Sequence, residues 1–353
     1  MVGSDQHSEP RPGPGPLSAR VVVTDSNFAD HDEEQALLDR VGASLTIESC
    51  RSEDEVIGVS AGAEVLLVQW APIGRRLFAA RPEVRLVIRY GIGLDNVDLR
   101  AAEEFGVAVA NVPDYCIDEV AEHAVMLVLA VQRSLLTFDR MVRSDLWAQA
   151  QAVAPPDRAI AQQTVGLIGF GRVGKRTGAI LAGFGARICA FDPGLDREAI
   201  RSAGVTPAAT LAELSECDVI SVHCPLTDET RALVDAHFLA ALPNHAIVIN
   251  TSRGAIIDTA ALVDALKRGE IGGAGLDTVD PEPLRPDHPL LAMPNVVATP
   301  HVAWMSDAAR IRLQAEAGRE AVRFVSGHPL RCAAVRGRSS KGASANTGPV
   351  AGS

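Results

Sequence analysis

The chain has 353 residues, which is enough for about two domains of roughly 150 residues each. With 47% hydrophobic and 22% charged residues it has the composition of a globular protein, with ample apolar material for two cores. The formal net charge of -11 repels polyanions, so we expect neither nucleic acid nor an anionic membrane as a partner of the body of the protein.

The cysteines and the N-terminal segment indicate a cytoplasmic protein. The six cysteines form no C-x-x-C pair and show no metal-ligand spacing, so we predict reduced thiols and no metal site. Residues 1–19 are polar and proline-rich without an apolar h-region, which predicts a disordered lead-in rather than a secretory leader. The longest apolar run, AVMLVLAV at 124–131, is too short to span a bilayer.

Short apolar strands alternate with helical segments from residue 20 to residue 117. The helical spacing of DEEQALLDRVG predicts a helix after the first strand. Five strands are predicted, by the runs RVVVTD, ASLTIES, AEVLLVQW, VRLVIRYG and GVAVANV. This alternation is typical of a parallel sheet with helices on its faces, so we predict one compact α/β unit here.

A long helix is predicted next, over about 118–147, by the segment DEVAEHAVMLVLAVQRSLLTFDRMVR. Its wide apolar stripe suits a helix buried between two domains. The stretch QAQAVAPPDRAIAQQ that follows predicts an irregular connector.

A second alternating unit follows the connector. Its strands are predicted by TVGLI, ARICAFD, CDVISVHCPL, HAIVINTSRG, IGGAGLDTV and NVVATPH. One more helix is predicted after them, over about 307–325. The tail from Arg331 is rich in Gly, Ser and Ala, with four basic residues and no acidic ones. We expect it to be disordered, and a weak contact with an anion is the less favoured alternative.

The segment GLIGFGRVG contains the pattern G-x-G-x-x-G at Gly169, Gly171 and Gly174. A bare match is weak, but here a β-branched strand precedes it and a helical segment follows. The first glycine would make the tight turn and the second would let the backbone approach a pyrophosphate. The third would let the helix pack closely, with its N–H groups facing the phosphates. We therefore predict a dinucleotide site.

The next predicted strand ends at Asp192. An acid about 20 residues beyond the first glycine binds a ribose hydroxyl and repels a 2′-phosphate. Asp192 stands in that place, which favours NAD over NADP. The alternative is a surface acid in the turn before Pro193.

Three polar residues, Arg253, Glu282 and His301, each follow a predicted strand of the second unit. Ligands of open α/β sheets bind beyond the carboxyl ends of the strands, so the three could meet there. Histidine suits proton transfer to or from an alcohol, a nearby carboxylate favours its imidazolium form, and an arginine fork suits a substrate carboxylate. Taken singly, they have ordinary alternatives: a surface charge, a turn acid between prolines and a loop histidine.

From about residue 65 to residue 334 the chain resembles the D-isomer-specific 2-hydroxyacid dehydrogenase family. The matching stretches are RYGIGLDNVDL, NVPDYCIDEVAEHA, GLIGFGRVG, HCPLTDETR, NTSRGAIIDTAALVDALKRGEIGGAGLD and NVVATPHVAW. The resemblance implies two Rossmann-like, doubly wound parallel-sheet domains. A NAD-binding domain, 118–301, would be inserted in a flavodoxin-like substrate domain, 20–117 plus 302–332, with disordered tails at 1–19 and 333–353.

The same resemblance assigns roles to individual residues. Arg253, Glu282 and His301 would form the catalytic triad, and the backbone N–H groups of Ile92 and Gly93 would hold the substrate carboxylate. Contacts with NAD are implied for Gly169, Phe170, Gly171, Arg172, Val173, Gly174, Asp192, His223, Cys224, Pro225, Thr251, Ser252 and Asp277.

The stretches LLVQWAP, NVPDYCIDEVAEHA and HVAWMSD are similar to the C-terminal-binding-protein-like / phosphoglycerate-dehydrogenase-like branch, and above all to its C-terminal-binding-protein-like members. In that branch Trp304 would line the substrate pocket and Arg89 would face the substrate. The alternatives are a packed indole and an exposed arginine at a strand end. The resemblance also implies a homodimer, although the connector lacks the basic and glycine residues that are usual in the dimer arm.

We therefore expect a cytoplasmic, NAD-dependent dehydrogenase that interconverts a small 2-keto acid and its D-2-hydroxy acid. One alternative is an NAD(H)-sensing, co-repressor-like binding protein whose output is partner recruitment. A D-3-phosphoglycerate dehydrogenase is a further alternative, ranked lower because the substrate region shows no obvious cluster of cations for a phosphate.

Overall fold

The computed structural model describes residues 19–153 and 159–337. The chain divides into two compact units. The continuous unit is Asp114–Ala309, and the split unit combines the described residues of Met1–Pro113 and Arg310–Ser353. The division expected from the sequence, 118–301 within 20–117 plus 302–332, has the same order of segments and differs at the boundaries.

The secondary structure of the described residues alternates along most of the chain. The strands are β1 (Arg20–Val23), β2 (Ser44–Ile47), β3 (Val65–Val68), β4 (Leu86–Arg89), β5 (Ala108–Asn111), β6 (Thr164–Ile168), β7 (Arg187–Phe191), β8 (Thr206–Pro207), β9 (Val219–Val222), β10 (Ile247–Asn250), β11 (Gly273–Leu276), β12 (Val296–Ala298) and β13 (Ala333–Val335). The α-helices are α1 (Asp32–Asp39), α2 (Glu53–Val59), α3 (Arg75–Ala80), α4 (Leu99–Phe105), α5 (Ile117–Gln132), α6 (Leu135–Arg143), α7 (Trp147–Gln151), α8 (Arg172–Gly183), α9 (Arg197–Arg201), α10 (Ala236–Ala241), α11 (Thr259–Arg268) and α12 (Asp307–Val325).

The sheet of the split unit has the strand order β2-β1-β3-β4-β5-β13. Its first five strands are parallel, and their order is the flavodoxin-like one. The middle strands β3 and β4 are entirely buried, because apolar β-branched runs are covered on both faces of a parallel sheet. The five strands predicted for this unit are all present.

The C-terminal tail corrects one expectation. Disorder was expected from residue 333, but residues 333–335 form β13, which pairs antiparallel with β5. The physical reason is tertiary, because β5 offers an open sheet edge to a segment whose own sequence gives no strand signal. The expected disorder of residues 1–18 and 338–353 lies outside the described residues.

The sheet of the continuous unit has the order β8-β7-β6-β9-β10-β11-β12, and all its pairs are parallel. This is the Rossmann order, whose direction reverses between β6 and β9. The predicted fold class is therefore confirmed. The carboxyl ends of β6, β9, β10, β11 and β12 all lie at one edge of this sheet.

The long helix predicted over 118–147 is wrong beyond Gln132. Helix α5 ends there, Ser134 has a left-handed backbone with φ 49°, and α6 and α7 follow as separate helices. The straight part is the one that packs on the sheet: a Cβ on Gly275 of β11 would lie 2.9 Å from Leu127 Cβ. Missing side chains on the strand thus let α5 lie close, and the chain turns where that support ends.

No side chain of helices α6 and α7 is fully buried. They expose Leu135, Val142 and Trp147, the last to 63%. In the described part of the chain no single helix combines the length and the apolar character needed to cross a membrane. Only α5 and α6 meet that test together, across a bend of 61°.

Candidate active site

The glycine turn joins β6 to α8, and each glycine is there for a different reason. Gly169 has φ 95°, and a Cβ on it would lie 2.6 Å from the backbone nitrogen of Cys224. A Cβ on Gly174 would lie 2.3 Å from the Gly169 carbonyl oxygen, so this glycine lets the helix start against the turn. A Cβ on Gly171 would meet no described atom within 4 Å, so this backbone is open to a ligand. These are the features that a pyrophosphate site requires.

The Asp192 carboxylate is anchored just beyond β7. Its Oδ2 accepts a hydrogen bond from the Phe170 N–H at 2.8 Å, and its Oδ1 accepts one from the Gly194 N–H at 2.9 Å. The acid therefore stands at a fixed distance from the glycine turn. Phe170 is 1% exposed and packs in the core, so its ring does not meet a cofactor.

Two polar atoms at the ends of β9 and β10 have no hydrogen-bond partner among the described residues. They are His223 Nδ1 and Thr251 Oγ1, and both are buried. The other ring nitrogen, His223 Nε2, lies 2.9 Å from Ser221 Oγ, and burial lowers the pKa of this histidine to about 4, so the ring is neutral. Buried polar groups are normally satisfied, so these atoms fit a site that a polar ligand completes.

The other residues for which the sequence implied a cofactor contact lie around the same edge. Ser252 donates to the Val222 carbonyl at 2.8 Å, so its hydroxyl ties β10 to β9. Burial raises the pKa of the Cys224 thiol to about 11, which keeps it protonated. At the start of α8, or directly after β9, lie Arg172, Val173, Cys224 and Pro225.

Arg253 follows β10 at a place where two loops touch through their backbones. A Cβ on Gly254 would lie 2.0 Å from the carbonyl carbon of Val279, so only glycine allows the loop after β11 to pass this close. The Arg253 charge reaches Glu282 of that loop, where it helps to lower the pKa of the carboxyl. Its guanidinium also donates to the Ser252 carbonyl at 2.8 Å.

His301 and Glu282 form a hydrogen-bonded pair. His301 Nδ1 lies 2.9 Å from Glu282 Oε2, and Glu282 Oε1 accepts from the Val279 N–H at 3.0 Å. Burial is the largest influence on the Glu282 pKa and would raise it. The hydrogen bond and charge of His301, the Val279 N–H and the Arg253 charge outweigh burial, so the pKa is lowered and the carboxylate is ionised.

The backbone of His301 has φ 56°, in the left-handed region that a residue with a Cβ adopts only under constraint. Asp277 supplies that constraint. Its carbonyl accepts from the His301 N–H at 2.9 Å, and its carboxylate accepts from the N–H groups of Val302 and Ala303, both at 2.9 Å. Asp277 as a whole is 2% exposed, so its position is fixed and it shapes the loop that carries His301.

Trp304 closes the same loop and is 8% exposed. Its ring packs on Tyr115, with centroids 6.1 Å apart and planes inclined by 59°. Trp304 is therefore largely packed, as one of the two alternatives expected.

The split unit carries the remaining expected substrate residues at the carboxyl end of β4 and in the loop after it. The Arg89 guanidinium lies against Gly91, because a Cβ on that glycine would be 1.7 Å from Arg89 Nη1. Its Cζ stands 5.6 Å from the centroid of the Trp70 ring. In the loop that follows, Ile92 is 39% exposed and its carbonyl accepts from Asn111 Nδ2 at 2.6 Å. Gly93 follows directly in this loop.

Sequence reasoning missed what holds these side chains. Asp277 had been assigned a contact with NAD, and nothing in its spacing signalled that it organises the His301 loop. Gly254 was within a quoted motif, but the backbone approach that requires it joins segments distant in sequence. Asp25 was missed as well; its carboxylate accepts from the N–H groups of Gln69, Trp70 and Ala71 after β3. A polar residue directly after an apolar strand was the available signal.

Comparison with known proteins gives a consistent result. The model of a family described as D-isomer specific 2-hydroxyacid dehydrogenase, NAD binding domain, matches residues 125–303. A glyoxylate reductase of Aeropyrum pernix is 36% identical over 255 residues, which cover 71% of this chain and 76% of the relative. A D-3-phosphoglycerate dehydrogenase of Mycobacterium leprae is 37% identical over 251 residues, 71% of this chain and 47% of the relative. This chain thus matches about half the length of that dehydrogenase.

Among solved structures, one similar fold is that of an NADPH-dependent glyoxylate/hydroxypyruvate reductase from Sinorhizobium meliloti, in complex with NADP and malonate. The TM-score is 0.79 and the sequence identity is 29%. The match covers 90% of this chain and 97% of the reductase chain.

Proposed function

Because the chain belongs to the D-isomer-specific 2-hydroxyacid dehydrogenase family, we propose that it interconverts a small 2-keto acid and its D-2-hydroxy acid with NAD as cofactor. The observation that carries this proposal is the pair of His301 and Glu282, 2.9 Å apart at the sheet edge that also bears the glycine turn. The intact pair favours an enzyme over a nucleotide sensor, which needs no proton donor.

The proton chemistry follows from the ring geometry of His301. Its Nδ1 faces Glu282, so Nε2 on the opposite edge of the ring is the atom that exchanges a proton with the substrate oxygen. The Glu282 carboxylate stabilises the imidazolium that donates in the reducing direction. Arg253 binds the substrate carboxylate and polarises the adjacent carbonyl. A bound nicotinamide supplies or accepts the hydride.

NAD, rather than NADP, is the cofactor that we propose. Asp192 supports this choice, since two backbone N–H groups fix its carboxylate where a 2′-phosphate would be repelled. The glycine turn, Thr251 and His223 would hold the rest of the cofactor. Fluorescence titration should give a lower Kd for NADH than for NADPH, and Asp192→Ser should reduce that preference. Equal affinities in the wild-type protein would contradict the assignment.

Substrate contacts are proposed for residues of each unit. The backbone N–H groups of Ile92 and Gly93 would bind the substrate carboxylate, and Arg89 would face the substrate from the end of β4. Trp304 would limit the size of the substrate side chain. In this proposal the split unit binds the substrate and the continuous unit binds the dinucleotide.

A panel of 2-keto acids tests the function. NADH consumption is measured with small, branched, thioether, aromatic and phosphorylated substrates. His301→Gln and Arg253→Ala should each lower turnover by about 10²-fold or more while NADH binding survives. Near-native turnover in either variant would remove that residue from the mechanism. Tight NADH binding without any turnover would favour the sensor, and a phosphorylated substrate alone would favour D-3-phosphoglycerate dehydrogenase.

A homodimer in the cytoplasm completes the proposal. Support for the dimer comes from α6 and α7, which have no fully buried side chain and expose Leu135, Val142 and Trp147, apolar residues that a second copy would cover. The six free cysteines support a reducing compartment. Light scattering should report a dimer for the wild type and a smaller mass for Trp147→Glu, and a monomeric wild type would contradict this assignment.

A further inference from the structure

A chain of partly buried hydrogen bonds connects α5 to the loop that carries His301. His123 Nε2 lies 2.9 Å from Thr299 Oγ1, and Thr299 Oγ1 lies 2.6 Å from Asp277 Oδ1. The two oxygens of the same carboxylate also accept hydrogen bonds from the backbone of the loop, Oδ1 from the Val302 N–H and Oδ2 from the Ala303 N–H. Of the side chains in this series, that of Asp277 is fully buried and that of His123 is 15% exposed.

The donors in this chain can be assigned from its chemistry. A carboxylate only accepts, so the Thr299 hydroxyl must give its single proton to Asp277. The hydroxyl oxygen is then left to accept, so the ring of His123 must donate from Nε2. Burial lowers the pKa of His123, with the Asp277 charge acting against it, so the ring is neutral and carries its proton on Nε2.

The hydrogen bond from His123 restricts the rotation of the Thr299 hydroxyl. A threonine hydroxyl rotates among staggered positions, and only one of them points its proton at Asp277. The bond from His123 selects that position. Asp277 in turn holds His301 in its left-handed backbone conformation, φ 56°, which an unconstrained residue leaves readily.

We propose that His123 is a positioning residue for His301, acting through the Thr299 hydroxyl and the Asp277 carboxylate. The inference rests on the proposed function and deepens it, because it adds a residue of α5 to the proton-transfer machinery without giving it contact with the substrate.

Two isosteric pairs of variants test the proposal. His123→Gln keeps a donor near the Nε2 position and His123→Leu removes it, while Thr299→Ser keeps the hydroxyl and Thr299→Val removes it. Loss of this chain of hydrogen bonds should lower kcat about tenfold in the Leu and Val variants, which is the effect of losing one hydrogen bond to a charged group. The Gln and Ser variants should stay within about threefold of wild type, and the Kd for NADH should not change in any of the four.

The double variant His123→Leu/Thr299→Val sharpens the result. If both residues act through one chain of hydrogen bonds, the kcat of the double variant should equal that of the slower single variant. A fold-loss in kcat equal to the product of the two single losses would overturn the shared chain. Equal kcat values for His123→Leu and wild type would overturn the role of His123. Should His123→Leu fail to fold, the Thr299 pair decides alone, since Thr299→Val must be slow and Thr299→Ser must not.

A spectroscopic readout separates this inference from the proposed function. The Cε1–Hε1 NMR signal of His301 is assigned by its absence from His301→Gln. It should move in His123→Leu and in Thr299→Val, and stay in place in the Gln and Ser variants. A shift of this kind without turnover of any 2-keto acid would overturn the proposed function but support the role of His123 in positioning His301. An unmoved signal in both the Leu and the Val variant would overturn the positioning itself.

Discussion

Gly254→Ala should disable the site without changing any side chain that binds substrate or cofactor. The added Cβ would lie 2.0 Å from both the carbonyl carbon and the carbonyl oxygen of Val279, and 2.5 Å from the nitrogen of Asp280. All three are backbone atoms, so no side chain can swing aside. Ordinary contact begins at 3.4 Å, so the loop after β11 must move by about 1.4 Å.

That movement separates Arg253 from Glu282, since the two residues lie on the two loops that are pushed apart. A misplacement of about 1 Å in a catalytic group costs on the order of 10²-fold in rate. We therefore expect kcat for the preferred 2-keto acid to fall about 10²-fold, measured by NADH consumption under saturating substrate. The Kd for NADH should change by a smaller factor than kcat, because the glycine turn after β6 and Asp192 are untouched.

Gly183→Ala is the matched control. A Cβ on Gly183 would meet no described atom within 4 Å, and this residue lies at the end of α8 in the same unit. Its kcat should equal that of wild type. If a folded Gly254→Ala protein also turned over at the wild-type rate, the close approach of the two loops would not be what aligns Arg253 and Glu282.

Glu282→Gln removes the charge that stabilises the His301 imidazolium, so kcat should fall by about 10- to 100-fold, and a rate within twofold of wild type would refute the pairing. His223→Gln removes a group whose pKa burial lowers from 6.5 to about 4. Between those pH values the unfolded histidine takes up a proton and the folded one does not, so the wild-type unfolding free energy should drop by up to roughly 3 kcal/mol more than that of the variant as pH falls. Urea unfolding at pH 7 and pH 4 measures this difference, and parallel losses would contradict it. Gly275→Ala places a Cβ 2.9 Å from Leu127 Cβ, and its overpacking should lower the unfolding free energy by about 1–3 kcal/mol in the same assay.

Much of the fold could be predicted from the chain alone, and so could the sheet edge that carries the candidate site. Apolar runs of strand length can be recognised from residues that are neighbours in sequence, and so can the glycine pattern at Gly169, Gly171 and Gly174. Polar residues directly after strands, such as Arg253 and His301, indicate the carboxyl edge of a parallel sheet, because that edge is where every strand of such a sheet ends. These signals need only neighbours in sequence.

Tertiary structure decided the rest. Whether α5 continues beyond Gln132 depends on the sheet beneath it, and whether Ala333–Val335 forms a strand depends on the open edge of β5. The left-handed backbone of His301 is held by Asp277, which precedes it by a whole loop and strand. Such contacts join segments far apart in the chain, so no local periodicity records them, and only the packed protein shows which polar groups meet.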